Sequence, residues 1–212
     1  MIADEAGVRV IAVDYRLAPE NKFPAAVDDA IAALKYVEAN ASGLGVDANR
    51  VAVGGDSAGG ALAAIVAQRA KQEGGPVVAF QLLLFPVTQI GGETESLKKF
   101  AEGHFLERAV LEWFFANYLP DAINRNDPNV SPLAAYSVAD LPPAYLMTAE
   151  CDPLHDEGIA YAERLKSAGV PVTVADHGDM VHCFIYLQTI LPQAREAVAG
   201  AARALKSAFA EG

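Results

Sequence analysis

The sequence predicts an α/β protein with a mostly parallel sheet that is covered by helices on both faces. Apolar segments rich in β-branched residues alternate with segments whose apolar residues recur at helical spacing. The predicted strands are apolar almost throughout, as strands are when both faces of their sheet are buried. With 212 residues, of which 52% are hydrophobic and 20% charged, the chain can form a substantial core. We therefore predict a single α/β domain over residues 1–212.

The first half of the chain begins with a predicted strand over residues 8–15, buried on both faces. Pro24 opens a helix, because its fixed φ and missing N–H suit a first turn, and apolar residues recur at helical spacing from Val27 to Val37. A short strand over 50–55 and a helix of small residues over 58–72 follow. This order is that of parallel strand–helix units.

The second half keeps the same alternation. Strands are predicted over 77–87, 144–150 and 172–176, together with a helix over 156–168 and a last helix that starts at Pro192. The alternation therefore extends to the end of the chain.

Residues 91–132 interrupt this alternation and are predicted to form a helical, cap-like insertion between two strands. The segment contains Trp113 and four phenylalanines but no clear strand pattern. Ligands of α/β proteins bind at the carboxyl edge of the sheet, which such an insertion can cover. A helical pair packed only for stability is the alternative.

The charge balance excludes several function classes. The chain has 16 basic and 27 acidic side chains and a net charge of −11, which argues against binding nucleic acid or an anionic membrane surface.

No apolar run approaches the roughly 18 residues of a membrane span. The N-terminus has no apolar signal region, so we predict a cytoplasmic protein. Two cysteines, Cys151 and Cys183, cannot form a disulfide framework.

The segment 54–60 carries the strongest functional signal, because it joins a predicted strand directly to a predicted helix. Gly55, Ser57 and Gly59 fit the G-x-S-x-G pattern of a nucleophile elbow, a strained turn that exposes the serine Oγ. Very small residues are expected two positions before and after the serine, where the backbone is crowded. The N–H of Ala58, at the positive end of the new helix, can face an oxyanion.

Other glycine-rich motifs fit this segment less well. A P-loop requires Lys after its second glycine, where Ala61 stands. No glycine pair has the G-x-G-x-x-G spacing of a dinucleotide site. An ordinary glycine-rich turn between a strand and a helix is the alternative that the motif alone leaves open.

A serine nucleophile requires a base and an acid that orients the base, and their order along the chain is diagnostic. All four histidines follow Ser57, which excludes the chymotrypsin and subtilisin orders and leaves the order Ser, Asp, His. Asp152, directly after a predicted strand, is the candidate acid. For the base, His182 in a loop is favoured over His177 at a strand end, which is less free to reach across. The remaining two, His104 and His155, are expected at the surface.

A metal site is not predicted. Several possible ligands lie between Asp176 and Cys183, but the spacing of their histidines is not that of H-E-x-x-H. No second group of ligands has the spacing of a metal site.

Taken together, these motifs resemble the bacterial esterases of the hormone-sensitive-lipase-like family, which have the α/β-hydrolase fold. The resemblance covers nearly the whole chain and rests on the segments VDYRLAPE (13–20), FPAA (23–26), GDSAGG (55–60), DPLHDE (152–157) and VHCF (181–184). It implies that Ser57 is the nucleophile, Asp152 the orienting acid and His182 the base. It also implies hydrolysis of carboxylic esters, usually with short acyl chains, without a cofactor.

Two departures from the family pattern bear on activity. Cys183 replaces the glycine that usually follows the histidine. The family's His-Gly-Gly-Gly loop, which supplies most of the oxyanion hole, is not in this sequence, nor are counterparts of the first three strands of the family. The resemblance thus implies an N-terminally truncated esterase in which the strands starting at Val8 and Arg50 flank a gap.

We therefore expect a carboxylesterase that forms an acyl-enzyme on small esters through a Ser–His–Asp triad. Turnover is expected to be slow, because Ala58 N–H is left to stabilise the oxyanion alone. The alternative is a catalytically dead ligand-binding or interaction module on the same fold, and a peptidase or amidase shares the same triad. Apolar surface left open by the truncation predicts self-association.

Overall fold

The computed structural model describes residues 2–210, in which helices and strands alternate from residue 25 onward. The helices are α1 (Ile2–Ala6), α2 (Ala25–Ala39), α3 (Ala41–Leu44), α4 (Ala58–Glu73), α5 (Glu95–Lys99), α6 (Arg108–Tyr118), α7 (His155–Ser167) and α8 (Pro192–Ala210). The strands are β1 (Ala52–Asp56), β2 (Phe80–Leu84), β3 (Ala144–Cys151) and β4 (Val172–Val181). Short 3-10 helices lie at Pro132–Ala134 and Phe184–Leu187.

The strands described between residues 2 and 210 form one parallel sheet in the order β1-β2-β3-β4. Each strand lies beside the next one along the chain, so every connection crosses over a face of the sheet. The carboxyl ends of the strands therefore lie at the same edge. The segments that begin with Ser57, Asp152 and His182 start at this edge.

Helices pack on both faces of this sheet, as predicted. On one face, Leu82 and Leu84 share a core cluster with Val198 of α8. On the other face, Leu83 packs in a cluster with Ala64 of α4 and with α7. The alternation within β2 arises because successive side chains of a strand point to opposite faces.

The predicted strand over residues 8–15 is wrong. Residues 8–17 adopt no regular secondary structure, and Val10, Ile11 and Val13 are 62%, 44% and 40% exposed. A strand needs a neighbour to take up its backbone N–H and C=O groups. Within residues 2–210, β1 is the edge strand nearest in sequence, and it pairs with β2 alone. The outer edge of β1 is therefore unpaired in the described chain.

Two other strand boundaries differ from prediction. The strand predicted over 77–87 is shorter, because Phe85 adopts a left-handed φ of 38° that ends β2. The strand predicted over 172–176 is longer and runs to Val181, because β3 continues beside it past an irregularity between Ala149 and Cys151. His177 therefore lies within β4 and not at its end.

Residues 91–132 contain α5 and α6, joined by turns. The inner side of α6 is apolar, with Leu111 buried in a cluster that includes Val87 and Leu154. Ser96 at the start of α5 donates its hydroxyl to the carbonyl of Pro153 at 2.9 Å. These contacts join the segment to the loops at the carboxyl edge of the sheet.

Candidate active site

The turn between β1 and α4 has the strained geometry that G-x-S-x-G predicts. Ser57 adopts φ 54° and ψ −117°, a conformation that L-residues rarely occupy and that persists only where the surroundings enforce it. Its N–H donates to the carbonyl of Leu84 at 2.9 Å, and its own carbonyl accepts from Val87 N–H at 3.2 Å. The serine is thus held against the end of β2.

The glycines of this turn have different roles. A Cβ on Gly55 would lie 2.4 Å from the carbonyl carbon of Gly59, so this position requires glycine. A Cβ on Gly60 would approach Pro86 to 2.9 Å. A Cβ on Gly59 itself would meet nothing within 4 Å. The expectation that side chains are excluded on both sides of Ser57 is therefore correct for Gly55 but wrong for Gly59, where only the backbone is crowded.

The candidate acid Asp152 follows β3 and is 1% exposed. Its Oδ1 accepts a hydrogen bond from Leu154 N–H at 2.9 Å. Its Oδ2 lies 2.6 Å from Nδ1 of His182. A buried carboxylate is tolerated when its oxygens are paired in this way.

The candidate base His182 follows β4 directly and is 5% exposed. Its Nε2 lies 3.0 Å from Ser57 Oγ, while its Nδ1 faces Asp152. The ring of Phe85 packs edge-on against the imidazole at 5.4 Å between centroids. Burial lowers the pKa of His182, but the hydrogen bond and charge of Asp152, together with Cys183, outweigh it and raise the pKa to about 9. The three predicted residues, 125 positions apart at most, are therefore brought into one hydrogen-bonded chain.

The other histidines lie elsewhere. His177 packs against Phe184 with 5.1 Å between ring centroids. His155 is partly buried, and its Nδ1 and Nε2 lie 3.0 and 3.3 Å from carboxylate oxygens of Asp156 and Asp176. The partly buried His104 donates a hydrogen bond from Nδ1 to the carbonyl of Glu102 at 2.7 Å.

No group of three or more His, Cys, Asp or Glu side chains in residues 2–210 is placed to hold a metal ion. Ala58, the candidate oxyanion donor, is the exposed first residue of α4. N–H groups in the first turn of a helix have no partner within the helix. The Ala58 N–H is therefore available to an anionic oxygen beside Ser57.

Two polar contacts near the site were not anticipated from the sequence. The hydroxyl of Tyr186 donates to Asp56 Oδ2 at 2.9 Å, next to Ser57. Glu157 is buried, and its Oε1 accepts from the backbone N–H groups of Thr88 and Gln89 at 2.7 and 3.2 Å. Glu157 lies in the motif 152–157, but the motif did not indicate a role for this residue. No motif in the sequence included Tyr186.

Residues 1–186 match the sequence model of a protein family, and the description of that family is "alpha/beta hydrolase fold". The chain belongs to this family. This α/β hydrolase is 42% identical to an ethyl acetate hydrolase of Pseudomonas putida over 206 residues, which cover 97% of this chain and 65% of that protein. A carboxylesterase of Mycobacterium tuberculosis is 42% identical over 204 residues, 94% of this chain and 64% of that protein.

Solved structures agree with this assignment. An α/β hydrolase enzyme from the metagenome of Lake Arreo, Spain, matches with a TM-score of 0.96 at 44% identity, covering 99% of this chain and 66% of that chain. An esterase of Pyrobaculum calidifontis matches with a TM-score of 0.94 at 41% identity, and the match covers 97% of this chain and 68% of that chain. The predicted resemblance to bacterial esterases with the α/β-hydrolase fold is confirmed.

The chain spans 64–65% of the length of the curated relatives described above. Between residues 2 and 210, this α/β hydrolase has no helix that is both long and apolar enough to cross a bilayer.

Proposed function

We propose that this protein hydrolyses carboxylic esters with short acyl chains, using Ser57, His182 and Asp152. The observation that carries the proposal is the position of the His182 imidazole between Asp152 Oδ2 at 2.6 Å and Ser57 Oγ at 3.0 Å. A hydroxyl, a base and an orienting acid at such distances form the arrangement that activates a serine.

The reaction proceeds by acyl transfer in two halves. Ser57 Oγ attacks the ester carbonyl carbon while His182 Nε2 takes the hydroxyl proton, and Asp152 stabilises the imidazolium. The carbon–oxygen bond to the alcohol then breaks, and His182 returns the proton to the departing alkoxide. Water attacks the acyl-enzyme by the same steps and releases the acid and free Ser57.

The Ala58 N–H stabilises the negative oxygen that develops on the former carbonyl. It lies at the N-terminus of α4, where the helix dipole also favours negative charge. Removing one donor from an oxyanion hole lowers kcat by roughly 100- to 1000-fold. The Ala58 N–H is the oxyanion donor that the elbow itself provides.

The substrate we propose is a small, uncharged ester. Related proteins named ethyl acetate hydrolase and carboxylesterase support an ester, and the net charge of −11 mildly disfavours anionic substrates. We further propose that residues 91–132 act as a partial cap. Their apolar cluster includes Val87 and Leu154, which flank the loops bearing Ser57 and Asp152.

A second copy of the chain is the protein partner that we propose. Val10, Ile11 and Leu17 are exposed apolar residues in an unpaired segment. The pKa of Tyr15, in the same segment, is raised mainly by burial and further by the charge of Asp56, the last residue of β1. The segment therefore passes near the end of the edge strand. Self-association would remove this surface from water.

The proposed activity is tested by measuring hydrolysis of p-nitrophenyl acetate and butyrate by the wild type and Ser57→Ala. We expect measurable hydrolysis that falls to background in Ser57→Ala, because the nucleophile is lost. Ser42→Ala, which changes an exposed serine on α3, is the matched control and should retain the wild-type rate. The rate should also rise with pH as His182 loses its proton, with a midpoint above the ordinary 6.5 of histidine.

Equal background rates from folded wild type and folded Ser57→Ala would contradict the proposal. A ligand-binding or interaction module on the same fold would then be the better description. Parallel assays with p-nitroacetanilide distinguish an amidase, which would cleave the anilide at a rate comparable to the ester.

A further inference from the structure

One hydrogen bond joins the two segments that carry the nucleophile and the base. Asp56 is the last residue of β1 and immediately precedes Ser57, whereas Tyr186 lies in the 3-10 helix Phe184–Leu187 that follows His182. The Tyr186 hydroxyl donates to Asp56 Oδ2 at 2.9 Å, although the two residues are 130 positions apart. No strand pairing joins these segments, since β1 and β4 lie at opposite edges of the sheet.

Both segments bend sharply next to the reacting atoms. Ser57 has φ 54°, and Cys183, directly after His182, has φ 58°. A small rotation at either bend changes the separation between Ser57 Oγ and His182 Nε2, which is 3.0 Å. Besides that contact itself, the bond between Tyr186 and Asp56 is a direct polar link across the two bends.

The Tyr186 hydroxyl remains protonated, and can donate to Asp56, over a wide pH range. Partial burial of the phenol, together with the hydrogen bond and charge of Asp56, raises the pKa of Tyr186 to about 12. The phenol therefore remains protonated, and Asp56 accepts from it, throughout the range in which His182 acts as a base.

We propose that Tyr186 and Asp56 are a positioning pair that holds His182 Nε2 at hydrogen-bonding distance from Ser57 Oγ. This inference rests on the proposed ester hydrolysis, and it assigns neither residue contact with the substrate. A misplacement of about 1 Å between reacting groups can cost roughly 100-fold in rate. A single hydrogen bond between these two segments can therefore affect kcat more than it affects folding.

Because Tyr186 is largely exposed, an experiment can distinguish its proposed positioning role from a purely structural one. Its side chain is 66% exposed, so little apolar packing is lost when its hydroxyl is removed. Substitutions at such surface positions usually change folding stability little. A large loss of kcat with an unchanged unfolding midpoint therefore indicates positioning.

The test compares Tyr186→Phe, Asp56→Ala, Asp56→Asn and the double variant Tyr186→Phe/Asp56→Ala on p-nitrophenyl acetate. We expect Tyr186→Phe to lower kcat about 10-fold with KM within about twofold, because alignment and not binding is impaired. Asp56→Ala should lower kcat similarly. Asp56→Asn retains an oxygen acceptor and should recover most of that loss. The double variant should resemble either single variant, because all three lack the same bond.

Tyr136→Phe is the matched control, since Tyr136 is fully exposed, and it should behave as the wild type. Three outcomes would overturn the proposal: a Tyr186→Phe variant with wild-type kcat, additive losses in the double variant, or a loss confined to KM. Thermal unfolding of each variant excludes a failure to fold.

A failure of the proposed function is recognised separately, as equal rates from the wild type and Ser57→Ala. In that case crystal structures of the wild type and Tyr186→Phe decide the positioning role. A separation of Ser57 Oγ and His182 Nε2 that widens beyond about 3.5 Å in the variant supports it, because no hydrogen bond then remains. An unchanged separation overturns it.

Discussion

Residues 80–84 and residues 8–15 are both apolar segments that the sequence predicts to be buried strands, yet their environments in the structure are opposite. All five residues of 80–84 are buried in β2, which pairs with β1 on one side and β3 on the other. In the segment 8–15, Val10, Ile11 and Val13 are exposed and no ladder forms. The difference shows that a largely apolar sequence makes a strand only where neighbours take up its backbone hydrogen bonds.

The largest effect that tests this comparison is on stability. Leu83→Ala in β2 should lower the free energy of unfolding by about 3–5 kcal/mol, because Leu83 is fully buried and the vacated space cannot close completely. Ile11→Ala should change it by less than about 0.5 kcal/mol, because that side chain is already 44% exposed. Urea unfolding followed by circular dichroism measures both. Equal losses would mean that residues 8–15 are as well packed as β2.

The surroundings of β2 and of residues 8–15 also differ in whether they bury a carboxyl group. Glu157 is buried beside the loop that follows β2, and burial raises its pKa to about 8 although N–H groups of Thr88 and Gln89 oppose the shift. Asp14, in the unpaired segment, is exposed. Between about pH 5 and 8 the folded protein therefore holds a proton on Glu157 that the unfolded chain has released.

This difference predicts that stability falls as pH rises. Over that window Glu157 should lower the free energy of unfolding by about 3–4 kcal/mol, since one pKa unit corresponds to about 1.4 kcal/mol. Glu157→Gln keeps an oxygen for the two N–H donors and should flatten the dependence. The control Asp14→Asn should not. Urea unfolding at several pH values checks this, and parallel curves for wild type and Glu157→Gln would contradict it.

The smallest expected effect concerns self-association. Ile11→Asp places a charge in the exposed segment near the unpaired edge, where charges oppose strand-to-strand association. We expect it to raise the dissociation constant of the proposed self-association about 10-fold, whereas Val77→Asp, at a similarly exposed site before β2, should not. Sedimentation velocity over a micromolar concentration series measures both variants. A wild type that remains monomeric throughout would contradict the self-association itself.

The geometry of the candidate site was largely predictable because its signals are local. The strained turn at Ser57 needs glycine at Gly55, where any Cβ would collide with the backbone of Gly59, so the motif itself encodes the elbow. Asp152 and His182 each follow a strand of a parallel sheet, and the carboxyl ends of such strands share one edge. Chain order and strand order therefore placed Ser57, Asp152 and the favoured histidine, His182, at one edge of the sheet.

The contacts around the site could not be predicted in the same way. The bond between Tyr186 and Asp56 depends on the bends at Ser57 and Cys183, and the burial of Glu157 depends on how α7 packs against the loop after β2. Such contacts join residues far apart in sequence that share no spacing rule. They follow from the assembled backbone and not from any local pattern.

The sequence by itself determined the fold class, the alternation of elements from α2 onward, and which serine, acid and histidine meet. Periodicity and steric requirements act within a few residues, so a single sequence displays them directly. Only the tertiary structure decided that residues 8–15 are unpaired, that β4 extends past His177, and that Tyr186 reaches Asp56. A strand is stabilised by what lies beside it, and the identity of that neighbour is a property of the folded chain.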